Sequence, residues 1–170
     1  MAYDPFALGV VQDYCGWDPT AVVTNGTVTL DGNGTTVAFL PSLYVTAVTA
    51  VTVTNPDGST YTATIGPGMN DVGWSDDGVL EWQSCNNGAC WPDMLQAVQV
   101  TYSGGYDPVP PDLDACLTKL GTRLSGTFGQ TSQSVGGASI AYAQTVAAGG
   151  LLTVEQWVLD RYRIVRGNTR

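Results

Sequence analysis

Between Thr27 and Tyr102 threonine alternates with valine and other apolar residues, a period of two that a helix cannot place on one face but a half-buried strand can. The alternation is cut by turn-forming clusters at Asp31-Gly-Asn-Gly34, Asn55-Pro-Asp-Gly58, Asp76-Asp-Gly78 and Asn86-Asn-Gly88. The clearest hairpin joins Val51-Thr-Val-Thr54 to Ser59-Thr-Tyr-Thr-Ala-Thr-Ile65 through a type I turn closed by a left-handed Gly58. Val51 and Val53, with Tyr61, Ala63 and Ile65, are expected to face inward. Further strands are expected at 27–31, 36–40, 79–83 and 96–102, giving an antiparallel unit of five to seven strands.

The period changes on both sides of this unit. Asp4-Pro5 sets a capping side chain before a proline at the first helical position, Ala7, Val10, Val11 and Tyr14 follow at helical spacing, and Gly16 is the stop, so a helix is expected over 5–15. After Asp107-Pro-Val-Pro-Pro111, Leu113, Cys116, Leu117, Leu120 and Leu124 form one apolar stripe. Gly121 within it costs a helix about 1 kcal/mol against alanine, tolerable where another element crosses closely. Residues 125–150 are rich in Gly, Ser, Gln and Ala, hold no charged residue, and carry a candidate strand at Ala138–Tyr142. Residues 127–150 are expected to be mobile in an isolated subunit and ordered in an assembly. The last helix is expected to open on a capping box of Thr153 and Gln156 and to present Val154, Trp157, Val158, Tyr162, Ile164 and Val165 as a broad apolar face, with Leu159 outside it. The fold class is therefore α+β, a small helical bundle with an inserted antiparallel unit. The segments are an N-terminal helix and lead-in (1–24), the β unit (25–106), a core helix (107–126), an extended loop (127–150), and a terminal helix and tail (151–170).

A chain of 170 residues suits one domain, or a core with a small insertion. Charged residues are only 12%, about half of the usual ~25%. No apolar run reaches the ~18 residues of a membrane span, and the start Met-Ala-Tyr-Asp-Pro-Phe6 lacks the features of a signal peptide, so a soluble intracellular product is expected. There is no histidine, which excludes a Ser-His-Asp triad, a Cys-His pair and ordinary His-containing zinc sites. The net charge of −9 is unevenly spread: residues 1–118 carry thirteen acids and no base, residues 119–170 six bases and two acids. Such polarity fits either a basic end that docks on an acidic partner or mutual neutralisation within one subunit.

Several clusters allow two readings. Cys85 and Cys90 flank Asn-Asn-Gly-Ala and can be reduced thiols, a disulfide across a tight hairpin, or less readily metal ligands. Cys15 and Cys116 lie on helical apolar faces and read as small core residues. Asp71, Asp76, Asp77 and Glu81 admit a carboxylate pair or a calcium loop, but turn residues are the simpler reading, since their spacing is not that of an EF-hand. Asn25-Gly-Thr27 and Asn33-Gly-Thr35 match a glycosylation pattern, and also tight turns, which is the reading adopted. Trp74, Trp82 and Trp91 read as core or interface anchors, with a sugar-binding platform as the alternative. No nucleophile and base pair and no metal-ligand set can be assembled, so neither catalysis nor a cofactor is expected.

Three runs, in order, resemble the head-to-tail adaptor (connector) proteins of long-tailed bacteriophages, particularly those of actinobacterial hosts. They are Phe39-Leu-Pro-Ser-Leu43 with Ala47-Val-Thr-Ala-Val-Thr-Val53, then Val100-Thr-Tyr-Ser-Gly-Gly-Tyr-Asp-Pro-Val-Pro-Pro-Asp-Leu113, and Ser132-Gln-Ser-Val-Gly-Gly-Ala-Ser-Ile-Ala-Tyr142 with Leu152-Thr-Val-Glu-Gln-Trp-Val-Leu-Asp-Arg-Tyr-Arg163. The likeness reaches from about Tyr14 to Arg166, and departs from the family in a shorter N-terminal helical region, in Gln133 where an acid is usual, and in the Ala/Gly-rich 143–151 loop. It implies a structural virion protein, assembled in the host cytoplasm. That protein forms a homo-oligomeric ring, typically a dodecamer, below the portal protein and above a stopper or tail-terminator ring. DNA passes through the ring without specific binding, and no membrane is involved. The resemblance implies an inter-subunit role for the loop holding Ser132, Ser134, Val135, Ile140 and Tyr142. Portal docking is expected of the terminal segment, through Trp157, Leu159 and Tyr162 with Arg161, Arg163, Arg166 and Arg170; Trp157 and Tyr162 serve equally well to close the subunit's own core. The competing class is a β-rich binding module, for carbohydrate for example, with helical flanks.

Overall fold

The computed structural model describes residues 3–66, 71–82, 91–127, 132–135, 138–141 and 151–164, with the backbone alone at 126–127, 132–135 and 138–141. The fold is α+β: among the described residues there are three helices, one N-terminal and two C-terminal, and between them seven antiparallel strands in two sheets. Two compact units are built, one from residues 1–18 and 108–163, the other from 19–107 and 164–170. Cys85, Cys90, Tyr142, Val165, Arg166, Arg170 and the Asn86-Asn-Gly88 turn lie outside the described residues, as does much of the 127–150 segment.

In the β unit, a four-stranded sheet has the order β1 (Val23–Leu30), β7 (Val98–Gly104), β3 (Val45–Thr54), β4 (Thr60–Thr62). A three-stranded sheet has the order β2 (Val37–Phe39), β6 (Val79–Trp82), β5 (Val72–Trp74). One apolar cluster joins both, with Leu40, Val51, Val72, Leu80, Val98 and Val100 fully buried. The expected hairpin is present: Val53 pairs with Tyr61, Gly58 sits at φ 82, and its N–H donates to the Asn55 carbonyl at 2.9 Å. Val51, Val53 and Ala63 are buried, but Tyr61, near the sheet's edge, is exposed and Ile65 only half-buried. β5 escaped the sequence reading, because Val-Gly-Trp is too short to show a period.

β3 departs from simple alternation. Its buried valines stand at 45, 48, 51 and 53, although a regular strand turns over at every residue. Val45 pairs with Gly104 and Val53 with Val98, so β3 spends two more residues than β7 over the same span, taken up in bulges at Val45/Ala47 and Val48/Ala50. Each bulge inserts one residue and restores the phase, which keeps every valine of a three-residue repeat on the core side. β1 has a similar irregularity between Val23 and Gly26, with Asn25 at φ 48 and its N–H donating to Ser103 Oγ. Asn25-Gly26 is therefore a bulge inside a strand rather than the hairpin turn expected, whereas Asn33-Gly34 does lie in a bend.

The helical unit contains α1 (Pro5–Cys15), α2 (Pro111–Thr127), α3 (Thr153–Leu159) and a final 3-10 turn, Asp160–Tyr162. Asp4 caps α1 by accepting from the N–H groups of Phe6 and Ala7, and Gly16 ends it in the left-handed region at φ 75. On α2, Leu113, Cys116, Leu117 and Leu120 are buried as the stripe required, and Leu124 half-buried. Gly121 has the reason anticipated for it: a Cβ there would stand 3.1 Å from Asp4 Cβ and 3.9 Å from Ala7 Cβ, so the start of α1 crosses α2 at this point. The remaining strands, β8 (Ser132–Val135) and β9 (Ala138–Ala141), pair antiparallel with each other; β8 was not foreseen.

The crossing at Gly121 sets an expectation. Gly121→Val overpacks it and should cost about 1–3 kcal/mol in chemical denaturation. Gly121→Ala should be nearly neutral, since ~1 kcal/mol of helix propensity offsets the tight approach. Equal, small effects for both would mean that α1 does not press on α2.

Candidate interface on the terminal helix

α3 opens one residue earlier than the Thr153 and Gln156 capping box proposed. Leu152 is the N-cap, and its N–H donates to Glu155 Oε2 at 2.8 Å. The shift has an electrostatic cause. Arg123 on α2 grips Glu155 in a fork, Nη2 to Oε2 at 2.7 Å and Nε to Oε1 at 3.3 Å, and the carboxylate is buried. A buried charge is tolerated only when paired, so this contact decides which side of α3 turns inward.

That side is Leu151, Glu155, Leu159 and Tyr162, all buried. The apolar face read from the sequence is thereby corrected. Leu159, placed outside it, is fully buried, while Val154 and Trp157, placed within it, are 66% and 68% exposed. A reading by hydrophobicity alone excluded the acid from the inner face and so rotated the helix. Leu159 and Tyr162 close the unit's own core; the outward face carries Val154 and Trp157, with Arg161 one turn further on and a partly exposed Leu152 at its start.

The chain after α3 is tied to both other helices. The Tyr162 hydroxyl donates to Asp112 Oδ1 at 2.7 Å, and Trp17 Nε1 donates to the Tyr162 carbonyl at 2.6 Å. The Tyr14 hydroxyl donates to Asp160 Oδ1 at 2.6 Å, and the Arg163 guanidinium lies 5.0 Å from the Tyr14 ring centroid, within cation–π range. Arg161 reaches Asp112 at 3.3 Å with its side chain 75% exposed, a surface pair worth ~0–1 kcal/mol and easily surrendered to a partner. Of the two ion pairs, Arg123–Glu155 and Arg161–Asp112, only the second joins the basic end to the acidic body, since Arg123 and Glu155 both lie within residues 119–170. Trp17 and Tyr14 were missed as anchors, because nothing in their spacing announces a contact with a helix some 145 residues away.

The other candidate groups are explained by local structure. Burial pushes the Cys15 thiol up to about 12 and the Cys116 thiol up to about 11, so both are unreactive near neutral pH. Asp71 accepts from the Tyr61 hydroxyl and the Thr64 N–H, and Asp77 from the Ser75 hydroxyl, as carboxylates bracing turns do. Trp82 and Trp91 pack edge to face with centroids 5.0 Å apart in the core, leaving Trp74 partly exposed, so the three make no common platform. Among the described residues no group of three or more potential ligands could hold a metal ion, and no helix is long and apolar enough to cross a membrane. Ser132, Ser134 and Val135 lie on β8 and Ile140 on β9.

The Tyr162 hydroxyl, first among several causes, holds the Asp112 carboxyl below its ordinary value. A depressed carboxylate contributes stability above its unfolded pKa, ~3.9, and loses it as pH falls through the folded value. Tyr162→Phe should therefore raise the Asp112 pKa in a carbon-detected NMR titration. It should also cost about 1 kcal/mol near pH 7, at the low end for a charged acceptor because Asp112 is partly exposed, and the difference should shrink below pH 4. A pH-independent cost would place the effect in packing alone.

No protein-family model matches the chain, and no curated protein matches it. Among solved structures the chain is similar to a component of the neck of the native GTA particle, computed with C12 symmetry, at a TM-score of 0.56 and 15% identity over 96% of this chain and 82% of that one. It is also similar to a component of the neck of the empty GTA particle, computed with C6 symmetry, at a TM-score of 0.56 and 15% identity over 96% of this chain and 78% of that one. At this identity the likeness is one of fold, and it extends over nearly the whole chain.

Proposed function

We propose that this chain is a structural neck protein of a phage-like particle, a head-to-tail adaptor that forms a ring against the portal and extends the DNA channel towards a stopper or tail-terminator ring. The observation that carries the reading is the likeness over 96% of the chain to neck components of particles with C12 and C6 symmetry. The order of the three adaptor-like runs in the sequence supports it independently.

In this reading the outward face of α3 meets the portal. Trp157 and Val154 supply exposed apolar area on a helix whose inner face is already occupied, and aromatic and arginine side chains are the usual energetic centres of interfaces. Arg161 and Arg163, with Arg166 and Arg170 beyond the described residues, meet acidic groups of the portal. Residues 19–107 hold eight acids and no Lys or Arg, so this stretch offers no counterion-releasing grip on DNA and lets it slide. The protein does its work by position, without turnover, cofactor or metal, and its place is the neck of the virion.

Trp157→Ala should weaken co-sedimentation with the portal about 30-fold, as expected for loss of a ~2 kcal/mol anchor. Val154→Glu with Trp157→Glu should abolish it and leave heads that lose DNA. Both changes lie on the exposed face, so circular dichroism and the denaturation midpoint should hardly change. Normal portal binding by the folded double variant would remove the outer face of α3 from the account.

A further inference from the structure

Two parts of the chain are each incomplete as sheets. Strand β1 ends the four-stranded sheet, and among the described residues its outer side has no partner. It lacks the usual protections of an edge: Val23–Leu30 is eight residues long with no lysine, proline or charge. Its single irregularity lies near its start, leaving Thr27–Leu30 in regular pairing with Thr101–Val98. Val23, Val28 and Leu30 pack against the core and are half-buried. The opposite edge is different, since β4 has only three residues and follows Pro56-Asp57.

The second part is the β8–β9 pair. A two-stranded hairpin is marginal in water and needs a third strand or a packed face. Its strands have four residues each, the length of the regular stretch Thr27–Leu30. Charge narrows the choice of partner further. Copies of a chain with net charge −9 repel one another, so they approach best through neutral surface. Residues 19–30 carry no charge, nor do residues 124–154, which contain the whole hairpin.

We propose that in the assembled ring the β8–β9 hairpin of one copy adds to the β1 edge of the next, extending its four-stranded sheet by β-augmentation. The inference rests on the ring reading and names the surface that receives the hairpin. Main-chain hydrogen bonds supply the contact, and the added strand covers the half-buried row of Val23, Val28 and Leu30. The β unit of each subunit is thereby completed by its neighbour, and a head-to-tail contact of this kind closes into a ring when its rotation divides the circle evenly.

The test uses full-length chains with Cys85→Ser and Cys90→Ser, in which Cys15 and Cys116 are buried. Thr29→Cys is placed in one population and Ser139→Cys in another. The two are mixed, assembled with portal, and treated with a short bismaleimide, while ring formation is followed on the same sample by native mass spectrometry. A two-chain product found only in the mixture, and a ladder of products when one chain carries both cysteines, is the expected result. Rings without any cross-chain product would overturn the augmentation and leave the ring reading standing, as would rings in which the double variant links only within one chain. Absence of rings under every condition would overturn both. Independently, Val28→Lys sets a charge on the half-buried inner side, where it reaches water in a single copy but not beneath an added strand. It should leave the far-ultraviolet spectrum intact and abolish rings; normal rings would contradict the proposal.

Discussion

Strand β7 is the constraint on which the β unit depends. It is paired on both sides, with β1 and with β3, and it alternates regularly, Val98, Val100, Tyr102 and Gly104 facing the core. Its neighbours adapt to it: β3 takes two bulges and β1 one, while β7 keeps its phase. Burying a valine side chain contributes about 1.5–3 kcal/mol, so three residues of bulged backbone cost less than turning the valine rows of β1 and β3 to solvent. Gly104 marks a close approach between β7 and β3, where a Cβ would stand 2.4 Å from the Tyr44 carbonyl oxygen. From there the chain runs through Pro108–Pro111 into α2, so the last strand of the unit feeds directly into the core helix.

Electrostatics separates the work of the two units. The β unit folds without a single Lys or Arg, held by apolar packing, threonine-rich strands and carboxylates that bind to turns, as Asp57 does to Ser59. The helical unit uses its cations to fix the orientation of α3. Arg123 draws Glu155 inward, and that buried pair turns Val154 and Trp157 outward. A single buried ion pair thus goes with the exposure of Val154 and Trp157 on the opposite face of α3. The bonds from Trp17, Tyr14 and Asp112 then hold the turn after α3 against the first two helices, so the outward face is presented on a braced element.

Much of this was legible in the chain, and the failures share a physical cause. α1, the α2 stripe, the close approach at Gly121 and the Asn55–Gly58 hairpin all rest on local signals: a cap, a period, a glycine, a turn. The face of α3 was misread because it depends on a charged residue that is buried only by virtue of Arg123, 32 positions earlier. Asn25-Gly26 was misread for a similar reason, since a dipeptide that suits a turn suits a bulge equally well, and only pairing with β7 distinguishes them. The repeat of valines at 45, 48 and 51 contradicts a strand of period two, and the two bulges that reconcile it exist only in register with a partner. On the terminal helix, the sequence left Trp157 and Tyr162 open between core and surface and set Leu159 outside the apolar face; Trp157 is exposed, whereas Leu159 and Tyr162 close the unit's core.

The account's central claim is that this chain occupies the neck of a phage-like particle as a ring against the portal. Electron cryomicroscopy of the particle's neck tests it most directly. The account predicts a closed ring of this chain next to the portal, with the outer face of α3 towards the portal and the acid-rich, base-free β unit surrounding the DNA path. Density for the chain in the tail tube or on the capsid surface, or a neck reconstruction that lacks it, would contradict the claim.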